Sequence, residues 1–180
     1  MSRRESVLAA LAASRQQLLA AIEGLEEPRF SERPAPRAWS AAHVIEHLAR
    51  AEERLARGIR AVATGTLVLR PRWDDPLRRL LYVTGAYRFP RIRAIAALSP
   101  AEAARRPEAL ARIAATRAAV VEAIERGDGP AMWAGTLRHP VMGPLAMEEM
   151  LRFVGYHEER HAGQIGRIRA ALERTRARPR

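Results

Sequence analysis

The 180-residue chain contains no cysteine, which excludes disulfides, thiolate metal ligands and a cysteine nucleophile, and removes any argument for an oxidising compartment. A metal, if one is held, must sit on His, Asp or Glu. Lysine is absent as well, so all 31 basic residues are arginine. No apolar run approaches the roughly 20 residues a membrane span requires, and the N-terminus turns straight into a polar-apolar periodic pattern, so a soluble cytoplasmic protein is expected. No stretch sustains two-residue alternation with β-branched enrichment, and no sheet is expected.

The formal net charge of +11 ordinarily raises nucleic acid as a partner, because clustered basic residues displace phosphate counterions. Here the arginines are spread along the whole chain and accompany abundant alanine, the mark of a GC-rich coding composition. Local density occurs only from Arg167 to Arg180, with no aromatic residues between to stack on bases. Nucleic-acid binding is not expected.

What is present is a core and a helical period. Hydrophobic content of 48% suits one domain, taken as residues 1–174, followed by a basic tail, 175–180, that is expected to fray. Four segments carry helical periodicity. The first runs from about Arg4 to Glu23, with Leu8, Leu11, Leu18, Leu19, Ile22 and Leu25 on one side. After Pro28, Pro34 and Pro36, the second runs from Ser40 to about Ala63, where Gly65 stops it. Prolines break the stretch from Thr66 to Pro107 repeatedly; it holds a short expected helix at Leu77 to Val83 and a capping-box pattern at Ser99-Pro100-Ala101-Glu102. The third long helix covers about Glu108 to Arg126. A Gly-Pro-rich segment then leads to the last, about Leu145 to Arg174. The fold class is therefore all-α: a four-helix bundle with a long irregular connection between the second and third long helices.

The histidines carry the chemistry. In the last helix Met147, Met150, Val154, Ile165, Ile168 and Leu172 define an apolar stripe, and His157 and His161 fall inside it one turn apart. Imidazoles at i and i+4 project side by side, so both can reach one ion at about 2.0–2.1 Å; the competing reading, two core histidines each satisfied by a hydrogen bond, needs a separate buried partner for each. On the second helix His47 lies roughly 100° from the centre of the apolar stripe and His43 roughly 135° away. His47 is therefore the third ligand, and His43 is read as a surface residue, with Glu46 and Glu53 towards solvent or the rim. His139, beside Pro140, reads as a turn residue. Glu158, Glu159 and Arg160 read as a solvated flank, and Gln164 as a core-edge amide that could orient a metal-bound water. Three nitrogen ligands leave at least one coordination position open, the arrangement of a catalytic or substrate-binding ion.

Three segments together resemble the DinB/YfiT-like superfamily. Arg33-Pro34-Ala35-Pro36-Arg37-Ala38-Trp39-Ser40-Ala41-Ala42-His43-Val44-Ile45-Glu46-His47-Leu48 is similar to that family's proline-then-Trp-Ser entry into its second helix, ending in the ligand-bearing His-Leu pair. His139-Pro140-Val141-Met142-Gly143-Pro144-Leu145 resembles its lead-in to the last helix, and His157-Glu158-Glu159-Arg160-His161-Ala162-Gly163-Gln164-Ile165 the helix that supplies the other two ligands. The resemblance selects His47 over His43, as the helical wheel does. It implies a divalent ion such as nickel, zinc or iron on His47, His157 and His161, and often a homodimer. It also implies either a transferase acting with a low-molecular-weight thiol, a metal-dependent hydrolase, or a metal-binding module without catalysis.

Overall fold

The computed structural model describes residues 1–67, 98–140 and 142–177; the short helix expected at 77–83 lies outside them. Helix α1 (Arg3–Ile22) starts where Ser2 accepts from the Glu5 amide and Glu5 returns to the Ser2 amide, a reciprocal cap for two otherwise unsatisfied donors. Helix α2 (Ala41–Ala63) is capped by Ser40 and ends before Gly65, whose φ of 71° is the left-handed value that a residue without Cβ adopts at least cost. Helix α3 (Arg106–Gly127) carries Pro107 in its first turn, with Glu108 accepting from the Arg105 amide. The start signal expected at Ser99 to Glu102 is not used. The chain there runs irregularly, and the helix begins where Pro107 and Glu108 supply both a fixed φ and a cap.

After the short helix α4 (Pro130–Ala134), two strands, β1 (Thr136–His139) and β2 (Gly143–Ala146), pair antiparallel with Leu137 opposite Leu145 and His139 opposite Gly143. This hairpin corrects the expectation of no sheet. Four-residue strands are too short to show alternation. Pro144, which cannot donate to a ladder, is tolerated because a two-stranded ribbon has only edges. Pairing of 143–146 also delays the last helix, so α5 spans Met147–Ala177, with Glu148 and Glu149 in its first turn and Arg174 and Arg176 in its last, as the helix dipole favours. Helix therefore continues through three residues of the segment expected to fray. No helix among the described residues is long and apolar enough to cross a membrane.

The four long helices pack as two intimate pairs, α1 with α5 and α2 with α3. Their core has two parts. One gathers Leu18, Ile22, Phe30, Ile45, Leu48, Ile113, Ile165 and Ile168. The other holds Val7, Leu11, Leu55, Ile59, Val120, Ile124 and Leu151, and is closed at its end by Met132, Leu137 and Leu145 from α4 and the hairpin. Leu19, expected on the inner side of α1, is 46% exposed; Val7 and Ser14 take that side with Leu11, Leu18 and Ile22. Gly135 fixes the approach of the hairpin to α2, because a Cβ there would collide with Val62.

Candidate metal centre

His47 on α2 and His157 and His161 on α5 meet between the two helix pairs, offering three ligand atoms within 4.8 Å of one another. The Nε2 atoms of His47 and His157 stand 3.3 Å apart, and those of His161 and His157 3.0 Å. Nitrogens bound about 2.0–2.1 Å from one tetrahedral ion stand about 3.3 Å from each other, so the spacing suits a common ion.

The outer nitrogens explain why the inner ones face together. His47 Nδ1 donates to the Leu98 carbonyl at 2.9 Å, and His161 Nδ1 to Gln164 Oε1 at 2.8 Å. Each bond places the proton on Nδ1 and leaves Nε2 as a bare lone pair turned inward. Two such lone pairs converge on His157 Nε2, and a cation satisfies all three at once. Gln164, expected as a core-edge amide, thus uses its carbonyl oxygen to orient His161.

Electrostatics keep the cluster neutral. Burial pushes the pKa of His161 down to about 3, with the His47 ring adding to the fall. Dense packing pushes His157 well below the ordinary histidine range, reinforced by His161 and His47. His47 is lowered chiefly by burial, against which the bond to Leu98 works upward. Arg50 acts on His47, Arg160 on His157, and Arg160 and Arg167 on His161, each disfavouring protonation. Neutral imidazole is the form that ligates a metal.

Aromatic rings wall the centre. Trp39, at the entry to α2, lies 5.2 Å from the His47 ring; Phe153 stacks on His157 at 5.8 Å and meets His139 edge-on at 4.5 Å. His139 does hold its turn, since its Nδ1 accepts from the Met142 amide at 3.0 Å, and the hairpin thereby also brings it to the edge of the site. Burial lowers its pKa to about 4. No sequence period signals these contacts; only the lead-in motif at His139 to Leu145 hinted at them.

Three expectations on α2 and α5 are overturned. His43 is buried, 6% exposed, because residues 33–40 fold back over the first turn of α2: Arg33 donates to its Nε2 at 2.6 Å while Ser40 Oγ lies 2.7 Å from Nδ1. It lies outside the three-histidine cluster. Glu46 is buried beneath Arg50 and Arg112, with Glu53 sharing Arg112 at the rim. Glu158, read as a solvated flank, is 1% exposed, since arginines from two other helices reach it inside the bundle. A helical wheel scores a carboxylate as outward-facing and cannot see a partner supplied from elsewhere in the chain.

A sequence model of the DinB superfamily matches residues 7–165. Among solved structures, a protein described as TT2238, a four-helix bundle protein, superposes with a TM-score of 0.57 at 25% identity, covering 89% of this chain and 96% of that one. No curated protein matches.

Proposed function

The chain belongs to the DinB superfamily, and from that premise we propose that it holds one divalent ion, nickel, zinc or iron, on His47, His157 and His161, and uses it to transfer a low-molecular-weight thiol to an electrophile. The observation that carries this reading is the convergence of three neutral imidazole nitrogens, two of them with their outer N–H groups tied to fixed acceptors. Three neutral ligands leave the full charge of an ion uncompensated, which favours an anionic fourth ligand. Arg50, Arg160 and Arg167 add positive potential over the same histidines.

The chemistry a bound ion would supply is Lewis acidity, which depresses the pKa of a thiol and favours its thiolate. Such a substrate brings the sulfur nucleophile that a cysteine-free chain lacks, and sulfur suits nickel, zinc and ferrous iron better than hard cations. In the transfer, the sulfur–carbon bond forms as the bond to the leaving group breaks, the leaving group takes the electron pair, and the thiol proton passes to solvent. Trp39 and Phe153 border the histidines and limit water there. Hydrolysis, with water in place of the thiol, is the second reading. The test is transfer of small thiols to a model electrophile by metal-loaded protein, compared with His161→Ala. The proposal expects metal-dependent transfer lost in the variant. Equal rates for the two proteins with every thiol tried would contradict it.

A further inference from the structure

The apolar core is interrupted at one level on all four long helices. Ser14 and Arg15 separate Leu11 from Leu18 on α1, Glu52 separates Ala49 from Leu55 on α2, Thr116 and Arg117 separate Ile113 from Val120 on α3, and Glu158 separates Leu151 from Ala162 on α5. The side chains of Glu158 and Glu52 keep only 2% and 4% exposure, and both arginines 11%, so each charge depends on the others. Arg15 donates to Glu158 at 2.6 Å and to Glu52 at 2.8 Å; Arg117 donates to Glu52 at 2.8 Å and to Glu158 at 2.8 Å. Ser14 and Thr116 complete the carboxylates at 2.5 and 2.7 Å, and the arginines also reach the carbonyls of Ile113 and Leu11. Two guanidiniums and two carboxylates leave the layer electroneutral.

An ionic layer of this kind adds little net stability over well-packed apolar residues, because desolvation offsets the attraction; its best-attested contribution is register. Register matters here for a geometric reason. The intimate helix pairs are α1 with α5 and α2 with α3, yet the histidine cluster takes His47 from one pair and His157 and His161 from the other. Apolar side chains permit small slides between the pairs, whereas metal sites require distances within about 0.2 Å. The bonds Arg15 to Glu52 and Arg117 to Glu158 each run from one pair to the other.

We propose that the Arg15–Glu52–Arg117–Glu158 layer is the positioning element of the three-histidine site, fixing the register between helix pairs on which the meeting of His47 with His157 and His161 depends. The proposal rests on the metal-binding reading, and four double variants separate the two. Arg15→Met/Glu158→Gln leaves Arg117 with Glu52, and Arg117→Met/Glu52→Gln leaves Arg15 with Glu158; in both, the surviving ion pair lies within one helix pair. Arg15→Met/Glu52→Gln and Arg117→Met/Glu158→Gln have the same net charge but keep an ion pair between helix pairs, while the bond of the remaining arginine to the Leu11 or Ile113 carbonyl, which also runs between pairs, survives equally in all four. Zinc affinity, measured by competition with a chromophoric chelator, should fall about tenfold or more in the first two and less than about threefold in the others.

Because the chain lacks cysteine, spin labels at Arg57→Cys on α2 and Gly166→Cys on α5 report the distance between pairs with no metal present. That distribution should widen only in the first two variants. Each variant has a mirror, so failure of one to fold leaves its counterpart to decide, and only one variant of each type contains Glu158→Gln, so a local effect beside His157 is distinguished. Wild-type protein that takes up no zinc would sink the metal reading and leave the label distances to judge the layer. Equal affinities and equal distance distributions across the four variants would overturn the proposal.

Discussion

Two buried polar clusters lie side by side on α5, and they are built on opposite terms. Around Glu158 every charge meets its complement within the chain, two arginines against two carboxylates, with hydroxyls filling the remaining acceptor sites. One residue earlier, His157 faces two imidazoles whose protons are held on the outer nitrogens, so two lone pairs converge on its Nε2. A cluster satisfied from within is structure; a cluster of converging acceptors asks for a cation from outside.

That contrast is most severely tested in the self-satisfied cluster. Glu158→Gln keeps the shape but leaves one buried guanidinium charge uncompensated, and should cost about 3–5 kcal/mol, lowering the Tm on the order of 10 °C. Adding Arg15→Met restores neutrality and should recover part of the loss. Thermal unfolding of both proteins measures this, and a loss below about 1 kcal/mol in the single variant would show that the layer is not a balanced unit.

A smaller effect concerns the histidines' neutrality. Burial holds His139 at about 4 in the folded protein, against about 6.5 in the unfolded chain. Between those values the unfolded state takes up a proton that the folded state refuses, so stability is full above pH 6.5 and falls as pH drops towards 4. His139 should account for at most about 2 kcal/mol of the loss between pH 7 and pH 5. Chemical denaturation of metal-free wild type and His139→Gln at the two pH values checks it; a variant that loses as much stability as wild type would contradict the assignment.

The smallest effect expected is at the outer rim of the site. Gln164→Ala frees His161 Nδ1 and with it the ring's tautomer, and should weaken metal binding about tenfold while leaving the fold intact. Titration of zinc into the variant tests this, with unchanged affinity as the contrary result.

Much of this was legible in the sequence because it depends on local period. Four amphipathic segments announce four helices, Gly65 marks the end of α2, and the i, i+4 spacing of His157 and His161 on an apolar stripe places two imidazoles together before any coordinates are known. His47 was separable from His43 by its angle on the wheel, although that angle also led His43 to be read as exposed; burial of His43 depends on Arg33 and Ser40 folding back, which no helical period encodes. Glu46 and Glu158 show the same limit. A carboxylate enters a core only when partners arrive from other helices, and their arrival is a property of the assembled bundle. The hairpin escaped notice because its strands are four residues long and contain a proline.

The most direct test of the account is the metal content of untagged protein, measured by elemental analysis after exposure to zinc or nickel and removal of free ion, for wild type, His47→Ala and His43→Ala. The account predicts about one ion per chain in wild type and in His43→Ala and none in His47→Ala. Wild-type protein without stoichiometric metal, or equal loss from the two substitutions, would contradict it.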